Sequence, residues 1–322
     1  MHPDLDQARR LLCRLQDAIR DAVRAAQRRG AARLTRVAAV TTADTIYGID
    51  KVSEHAVLAW FGENWPRHWP VELVMEGLEG DAVTFPRGTP VKQTRFKCIL
   101  DPIDGTRGLM YDKRSAWSLA ALAPQRGAKT SLRDIIVAAM TELPTSKGGF
   151  ADQLSAVKGR GAQAERLDLR SGRRKKFSPR PSQARDLAHG FASFAKFFPP
   201  GKVWLAEREA RLFRALGGSP DVFDDQYLST GGQLYELLMG HDRFIADLRP
   251  LAFARLRLPT ALTCHPYDIC PALIAQELGC IVTAPDGRPL RGPLDTTSPV
   301  AWVGCANPVL ARKIGPKLRK LL

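Results

Sequence analysis

The apolar residues of the first thirty positions recur at helical spacing: Ala8, Leu11, Leu12, Leu15, Ala18, Ile19, Ala22 and Val23. That stripe predicts an amphipathic helix docked on a core and ended by Gly30. "VAAVTTADTIYGID" reads as a short extended piece and a polar turn, and "KVSEHAVLAWFGENW" as a second helix with Val52, His55, Ala56, Ala59 and Trp60 on one face. The pattern then changes period. "VELVMEG", "FKCILDPIDGT", "AWSLAALAP", "DIIVAAMTELP" and "QLSAVKGRGAQ" are short apolar runs bounded by turn residues, as buried strands are. Two leading helices followed by strands point to α+β architecture.

Residues 168–186, "DLRSGRRKKFSPRPSQARD", are polar, basic and contain Pro, Gly and Ser, which predicts a surface loop or linker. Beyond it, helical segments such as "QLYELLMG" and "PALIAQELG" alternate with strands such as "RFIADL", "CIVTAPDGRPL" and "VAWVGCANP", a βαβ-like traffic. The expected division is an N-terminal α+β domain over 1–185 and a C-terminal α/β domain over 186–322. There is no internal repeat, no P-loop and no G-x-G-x-x-G fingerprint.

Length and charge narrow the classes. A chain of 322 residues buries enough surface to need no disulfide staple. Its six cysteines form no C-x-x-C pair, so reduced, buried thiols are expected rather than a zinc site or a secreted framework. The first thirty residues carry charge throughout, unlike a signal peptide, and no apolar run approaches the about 18 residues of a membrane span. A cytoplasmic protein is the expectation. The net charge of +15 suits polyanionic partners or phosphorylated small molecules, but equally a solvated basic surface.

Candidate chemistry lies in "ILDPIDGT". A strand reaching Leu100 is followed by Asp101, by Pro102 with its fixed φ, by the Ile103 carbonyl, and by Asp104 and Gly105. Two carboxylates and a carbonyl converging on one point make a hard oxygen site suited to Mg²⁺, and the Gly105 and Thr106 amides suit a phosphate oxygen. The same residues also make a good surface turn. Glu76 closes a strand, Asp268 opens a late apolar helix and Asp50 precedes the second helix; singly, solvation or helix capping explains each.

In this order the four signals resemble the inositol monophosphatase-like family of magnesium-dependent, lithium-sensitive phosphatases. "LDPIDGT" is similar to the family's first signature and "YDICPALIAQELGC" to its second. "VKGRGAQ", "STGGQLYELLMGHDRFIAD" and "WVGCANPVLARKI" are similar to later segments, so the likeness spans most of the chain. It implies a layered α/β/α/β/α sandwich, commonly dimeric, with the site between its two parts. It implies two or three Mg²⁺ ions held by Glu76, Asp101, the Ile103 carbonyl, Asp104 and Asp268. Asp50 and Thr106 would position and activate the attacking water, and the Gly105 and Thr106 amides would cradle the phosphate. The substrate would be a small phosphate monoester: an inositol phosphate, a sugar phosphate or a phosphonucleotide such as 3′-phosphoadenosine phosphate.

The sequence departs from the family pattern in places. Gly77 stands where a second acid is usual, Tyr267 replaces Trp, and Cys270-Pro271 replace small residues. "LRPLAFARLRLPTALTCHP" lengthens the connection before Asp268, so the substrate does not carry over, and Arg107 falls where a phosphate contact is possible. The competing expectation is a catalytically weak member of the fold that binds polyanions or RNA through the RRKK segment and the basic C-terminal helix. The lack of an aromatic-interleaved basic platform counts against nucleic acid.

Overall fold

A computed structural model describes residues 4–29, 37–40, 45–78, 83–217 and 221–322; for 37–40, 45–47, 49, 50 and 52 the backbone alone is described. Helix α1 spans Leu5–Arg28, capped by the Asp4 carboxylate, which accepts from the Asp6 and Gln7 amides. Its predicted stripe is buried at Ala8, Leu11, Leu12, Leu15, Ile19 and Val23. Gly30 lies outside the described residues. Strands β1 (Val37–Val40) and β2 (Thr45–Tyr47) pair antiparallel ahead of α2, Gly48–Asn64.

The first large sheet contains β3 (Val71–Met75), β4 (Val83–Phe85), β5 (Phe96–Asp104), β6 (Ala116–Pro124), β7 (Val137–Leu143), β8 (Phe150–Val157), β9 (Ala162–Asp168) and β10 (Arg174–Phe177). Its order is β10-β9-β8-β7-β6-β5-β3-β4, antiparallel except where β3 runs parallel to β5. The one-turn helix α3, Thr106–Met110, follows β5. The second sheet has the order β12-β11-β13-β15-β14, built from β11 (Gly190–Phe194), β12 (Val222–Phe223), β13 (Asp242–Asp247), β14 (Ile281–Thr283) and β15 (Trp302–Cys305). Its helices are α4 (Lys202–Ala215), α5 (Thr230–Leu238), α6 (Arg249–Leu256), α7 (Pro266–Ile269), α8 (Ala272–Glu277) and α9 (Pro308–Arg319).

The elements stack in five layers. Helices α1 and α2 cover one face of the first sheet; α5, α7 and α8 lie between the sheets; α4 and α9 cover the outer face of the second. The central strands read as unbroken apolar runs because both of their faces are buried. Along β5 and β6, Ile99, Trp117, Leu119 and Ala121 turn into the core between the sheets, while Cys98, Leu100, Ala120 and Leu122 meet the core under α1 and α2.

Three local expectations are corrected. Strand β5 does not stop at Leu100; it runs on to Asp104 through a bulge, Asp101 opposing Leu119 and Asp104 opposing Trp117. The extra residue between those pairs accommodates Pro102, which has no N–H for a ladder. The 168–186 stretch is not all loop: Arg174–Phe177 forms the edge strand β10 against β9. Asp268 does not open the long apolar helix but sits in the separate turn α7, with Pro271 at the junction to α8. All six cysteines are free, and five of them are buried.

Candidate metal centre

The parallel register of β3 on β5 sets Met75 beside Leu100, so the next residue of each strand, Glu76 and Asp101, emerge together. The Glu76 amide donates to the Leu100 carbonyl at 3.2 Å, fixing that exit. Past Asp101 the bulge re-aims the strand. The Ile103 amide donates to Asp101 Oδ1 at 2.9 Å, and Asp104 points the same way. From the other half of the molecule, α7 packs on β5 and β6 and brings Asp268. One carboxylate oxygen from each of Asp101, Asp104 and Asp268 lies within 4.8 Å of the other two. Glu76 is close enough to share a hydrogen bond with Asp101.

Burial makes this convergence costly. Asp101 is 1% exposed and Asp104 8%. Burial first, then the neighbouring charges of Glu76, Asp104 and Asp268, hold the Asp101 carboxyl well above the usual carboxylate range. Asp268 is raised in the same way by burial, Asp104 and Glu76, against the opposing pull of the His265 amide, which donates to its Oδ2 at 2.6 Å. Asp104 is pushed up to about 6, chiefly by burial, with partial relief from two donors. Those donors are Ser229 Oγ at 2.9 Å and the Gly231 amide at 2.5 Å, both onto Asp104 Oδ2.

Ser229 also caps α5, its hydroxyl accepting from the Gly232 amide at 3.0 Å. Gly231 is required by space: a Cβ there would lie 2.7 Å from Leu119 Cδ2 and 2.8 Å from Trp117 Cβ. Gly105, at φ +95°, turns the chain from β5 into α3 in the left-handed region that favours glycine. Thr106 Oγ1 donates to the Ile103 carbonyl at 2.9 Å, leaving that oxygen a second lone pair. Arg107 is half-buried in the first turn of α3. Asp50 falls inside the first turn of α2 rather than before it, and its side chain lies outside the described residues.

The positive charge acting on Asp104 and Asp268 is Arg249. Its guanidinium is already committed: Nε and Nη2 fork onto Asp247 at 2.9 and 2.5 Å, and Nη1 donates to the Leu262 carbonyl at 2.9 Å. The Phe197 ring lies 4.4 Å from its Cζ. Sequence reasoning missed this pair and the Ser229 and Gly231 donors; "STGGQ" is legible as a helix start, but its contact with Asp104 is not.

Four acids packed together, three of them with converging oxygens and the Arg249 guanidinium spent on Asp247 and Leu262, repel one another unless a cation sits among them. The donors are all hard oxygens, carboxylate and carbonyl, the set that divalent magnesium takes in preference to softer metals. The residues therefore fit the metal that the sequence resemblance implied.

No family profile matches the chain, and no curated protein matches it by sequence. Solved structures do match in shape. The extragenic suppressor protein SuhB from Bartonella henselae superposes with a TM-score of 0.65 at 16% identity, over 97% of this chain and 98% of that one. Leishmania major fructose-1,6-bisphosphatase gives 0.67 at 13% identity, over 97% and 92%. A staphylococcal IMPase complexed with products gives 0.64 at 16% identity, over 99% and 96%. The chain has the inositol monophosphatase fold. In it, the acidic cluster lies where the bulged end of β5 in the first sheet meets α5 and α7 from the second half. Among the described residues, no helix is long and apolar enough to cross a membrane.

Proposed function

We propose that the chain is a Mg²⁺-dependent phosphatase hydrolysing a small phosphate monoester, an inositol phosphate, sugar phosphate or phosphonucleotide. The observation that carries this reading is the trio of carboxylates from Asp101, Asp104 and Asp268, with oxygens within 4.8 Å of one another, adjoined by Glu76. Glu76, Asp101, the Ile103 carbonyl, Asp104 and Asp268 would hold the metal. Bound there, divalent ions neutralise phosphate charge and acidify water.

The protein's own part is placement. Asp101 and Asp104 are locked by the Ile103 amide, Ser229 and Gly231, so their oxygens do not reorganise during the reaction. The Thr106 hydroxyl and Asp50 are assigned to orienting the attacking water, the Gly105 and Thr106 amides to holding a phosphate oxygen, and Arg107 to a further phosphate contact. The segment from Arg249 to His265 borders the Asp268 turn and gives this member its own substrate wall. A cytoplasmic homodimer completes the reading.

The test is phosphate release from a panel of inositol monophosphates, sugar phosphates and 3′-phosphonucleotides, with Mg²⁺ and with chelator. Release is expected only with Mg²⁺. Asp104→Asn is expected to lower it at least about 100-fold, since even groups behind a metal ligand are worth about 10–100-fold. Release indifferent to Mg²⁺ or to that substitution overturns the proposal.

A further inference from the structure

The positive charge is not spread evenly. From Leu169 to Arg185 the chain carries seven cationic residues and no carboxylate, and from Pro308 to Leu322 five and no carboxylate. The fold brings these two segments together. Asn307, the cap of α9, donates through Nδ2 to the Ser182 carbonyl at 2.8 Å and the Ala184 carbonyl at 2.9 Å. Lys313 and Ile314 of α9 line one cavity with Asp186, Leu187 and Ala188. The segment that follows β10 and the helix α9 thus adjoin, and both are basic.

Most of that charge is uncompensated. Arg173, Lys175, Lys176, Arg180, Arg312 and Lys313 are all exposed, and none pairs with a carboxylate among the described residues. The acids at the margins are occupied: Asp17 and Glu165 hold Arg174, Asp168 caps its own turn, and Asp186 faces Arg243 at 3.8 Å. Uncompensated cations repel one another, and a polyanion relieves that repulsion while releasing its own counterions.

We propose that this face binds the phosphodiester backbone of nucleic acid, without sequence preference. One observation favours the phosphates of nucleic acid over an anionic membrane. The apolar stripe of α9, Leu310, Ile314 and Leu318, is buried against the protein and only Val309 of its large apolar residues is exposed, so the helix has no outward apolar face to enter lipid. Successive residues of β10 point to opposite faces, so its exposed cations lie on both sides of the edge strand, Arg174 and Lys176 on one and Lys175 on the other. Phe177 is covered by Arg166, whose Cζ is 5.3 Å from the ring, so the strand offers no base-stacking platform and binding rests on charge. The proposal is independent of the phosphatase reading, since the acidic centre shares no residue with this face.

The test is fluorescence anisotropy of a labelled mixed-sequence RNA of about 30 nucleotides against the full chain, between about 50 and 200 mM salt. Affinity is expected to fall log-linearly with salt. Lys175→Glu combined with Lys176→Glu is expected to weaken binding at least about tenfold and lower the slope by about 1.4, at about 0.7 for each phosphate no longer neutralised. Arg312→Glu with Lys313→Glu acts likewise from the other segment. Arg67→Glu with Lys92→Glu is the charge-matched control, because both residues are exposed and flank the opposite, β3–β4 side of the sheet. It should leave the slope unchanged, and the melting temperature reports folding in each variant. The proposal is overturned by absence of binding at low salt, by β10 variants that bind like wild type, or by a control variant that weakens binding equally. Phosphatidylserine vesicles that displace the RNA at equal phosphate concentration also overturn it.

Discussion

Asp101 sits among Glu76, Asp104 and Asp268 with almost no exposure, and its carboxyl is held well above the normal range by burial and by those three acids. In metal-free protein near pH 8, ionising such a group works against folding. Asp101→Asn removes the charge and keeps an oxygen for the Ile103 amide. The variant is therefore expected to be more stable than wild type in chelator, by roughly 1–3 kcal/mol, while lacking both the Mg²⁺-dependent turnover proposed for wild type and the rise in melting temperature that Mg²⁺ is expected to give wild type under that proposal. Urea unfolding in chelator and melting with and without Mg²⁺ check both halves; lower stability in chelator would show that the cluster is not electrostatically strained. Asp101, Asp104, Glu76 and Asp268 are legible from sequence only jointly, because each has an ordinary local role as turn, strand end or cap. Their convergence depends on the β3–β5 register and the bulge, which no local pattern encodes. Ser229 and Gly231 stay hidden for the same reason: the 2.5 Å amide contact on Asp104 crosses 127 residues of sequence.

At the scale of elements, the doubly buried strands β5 to β8 are the most legible, since apolar runs bounded by turn residues admit few alternatives at that length. The edge strand β10 is not, because an exposed strand of Arg and Lys has no alternation to read and is defined by its pairing with β9. The split between α7 and α8 is equally hidden: Pro271 is compatible with the first turn of one continuous helix, yet it separates two turns. The long connection before Asp268 is anchored where β13 ends, by the fork of Arg249 onto Asp247, whose exposure is 0%. Arg249→Met leaves that carboxylate buried and unpaired and is expected to cost about 3–5 kcal/mol. Asp247→Leu combined with Arg249→Met removes both charges and is expected to recover most of the loss, since a buried pair is worth little more than an apolar replacement. A double variant no more stable than the single one in urea unfolding would mean that the arginine holds α6 by packing on Phe197 and not by charge.

For the whole molecule, the raised acids set how stability follows pH. Asp101, Asp104, Asp268, Asp242, Glu142 and Glu209 all have carboxyls raised in the folded state, each with burial as the leading cause. Asp112, Asp134 and Asp168 are lowered, and their pull is confined to the acid side of the ordinary carboxylate range. Above that range these six acids hold more protons in the folded chain than in the unfolded one, so their contribution to the stability of the metal-free protein falls as pH rises, while His265, lowered chiefly by burial, contributes in the opposite sense. Asp242 isolates this effect away from the acidic cluster. It opens β13, is 7% exposed, and is pushed up to about 7 by burial, then Glu236 and Asp225, against weaker pulls from His241 and Arg114. Below its unfolded value of 3.8 it is protonated in both states and costs nothing; the cost grows through the interval and is complete above about 7. Asp242→Asn should therefore match wild type near pH 4 and exceed it at pH 8, by on the order of 2 kcal/mol once the shift is discounted for relaxation. The check is a series of urea unfolding curves in chelator from pH 4 to 8. An Asn variant whose stability runs parallel to wild type across that interval would mean that Asp242 stays ionised throughout, its charge relieved by His241 and Arg114.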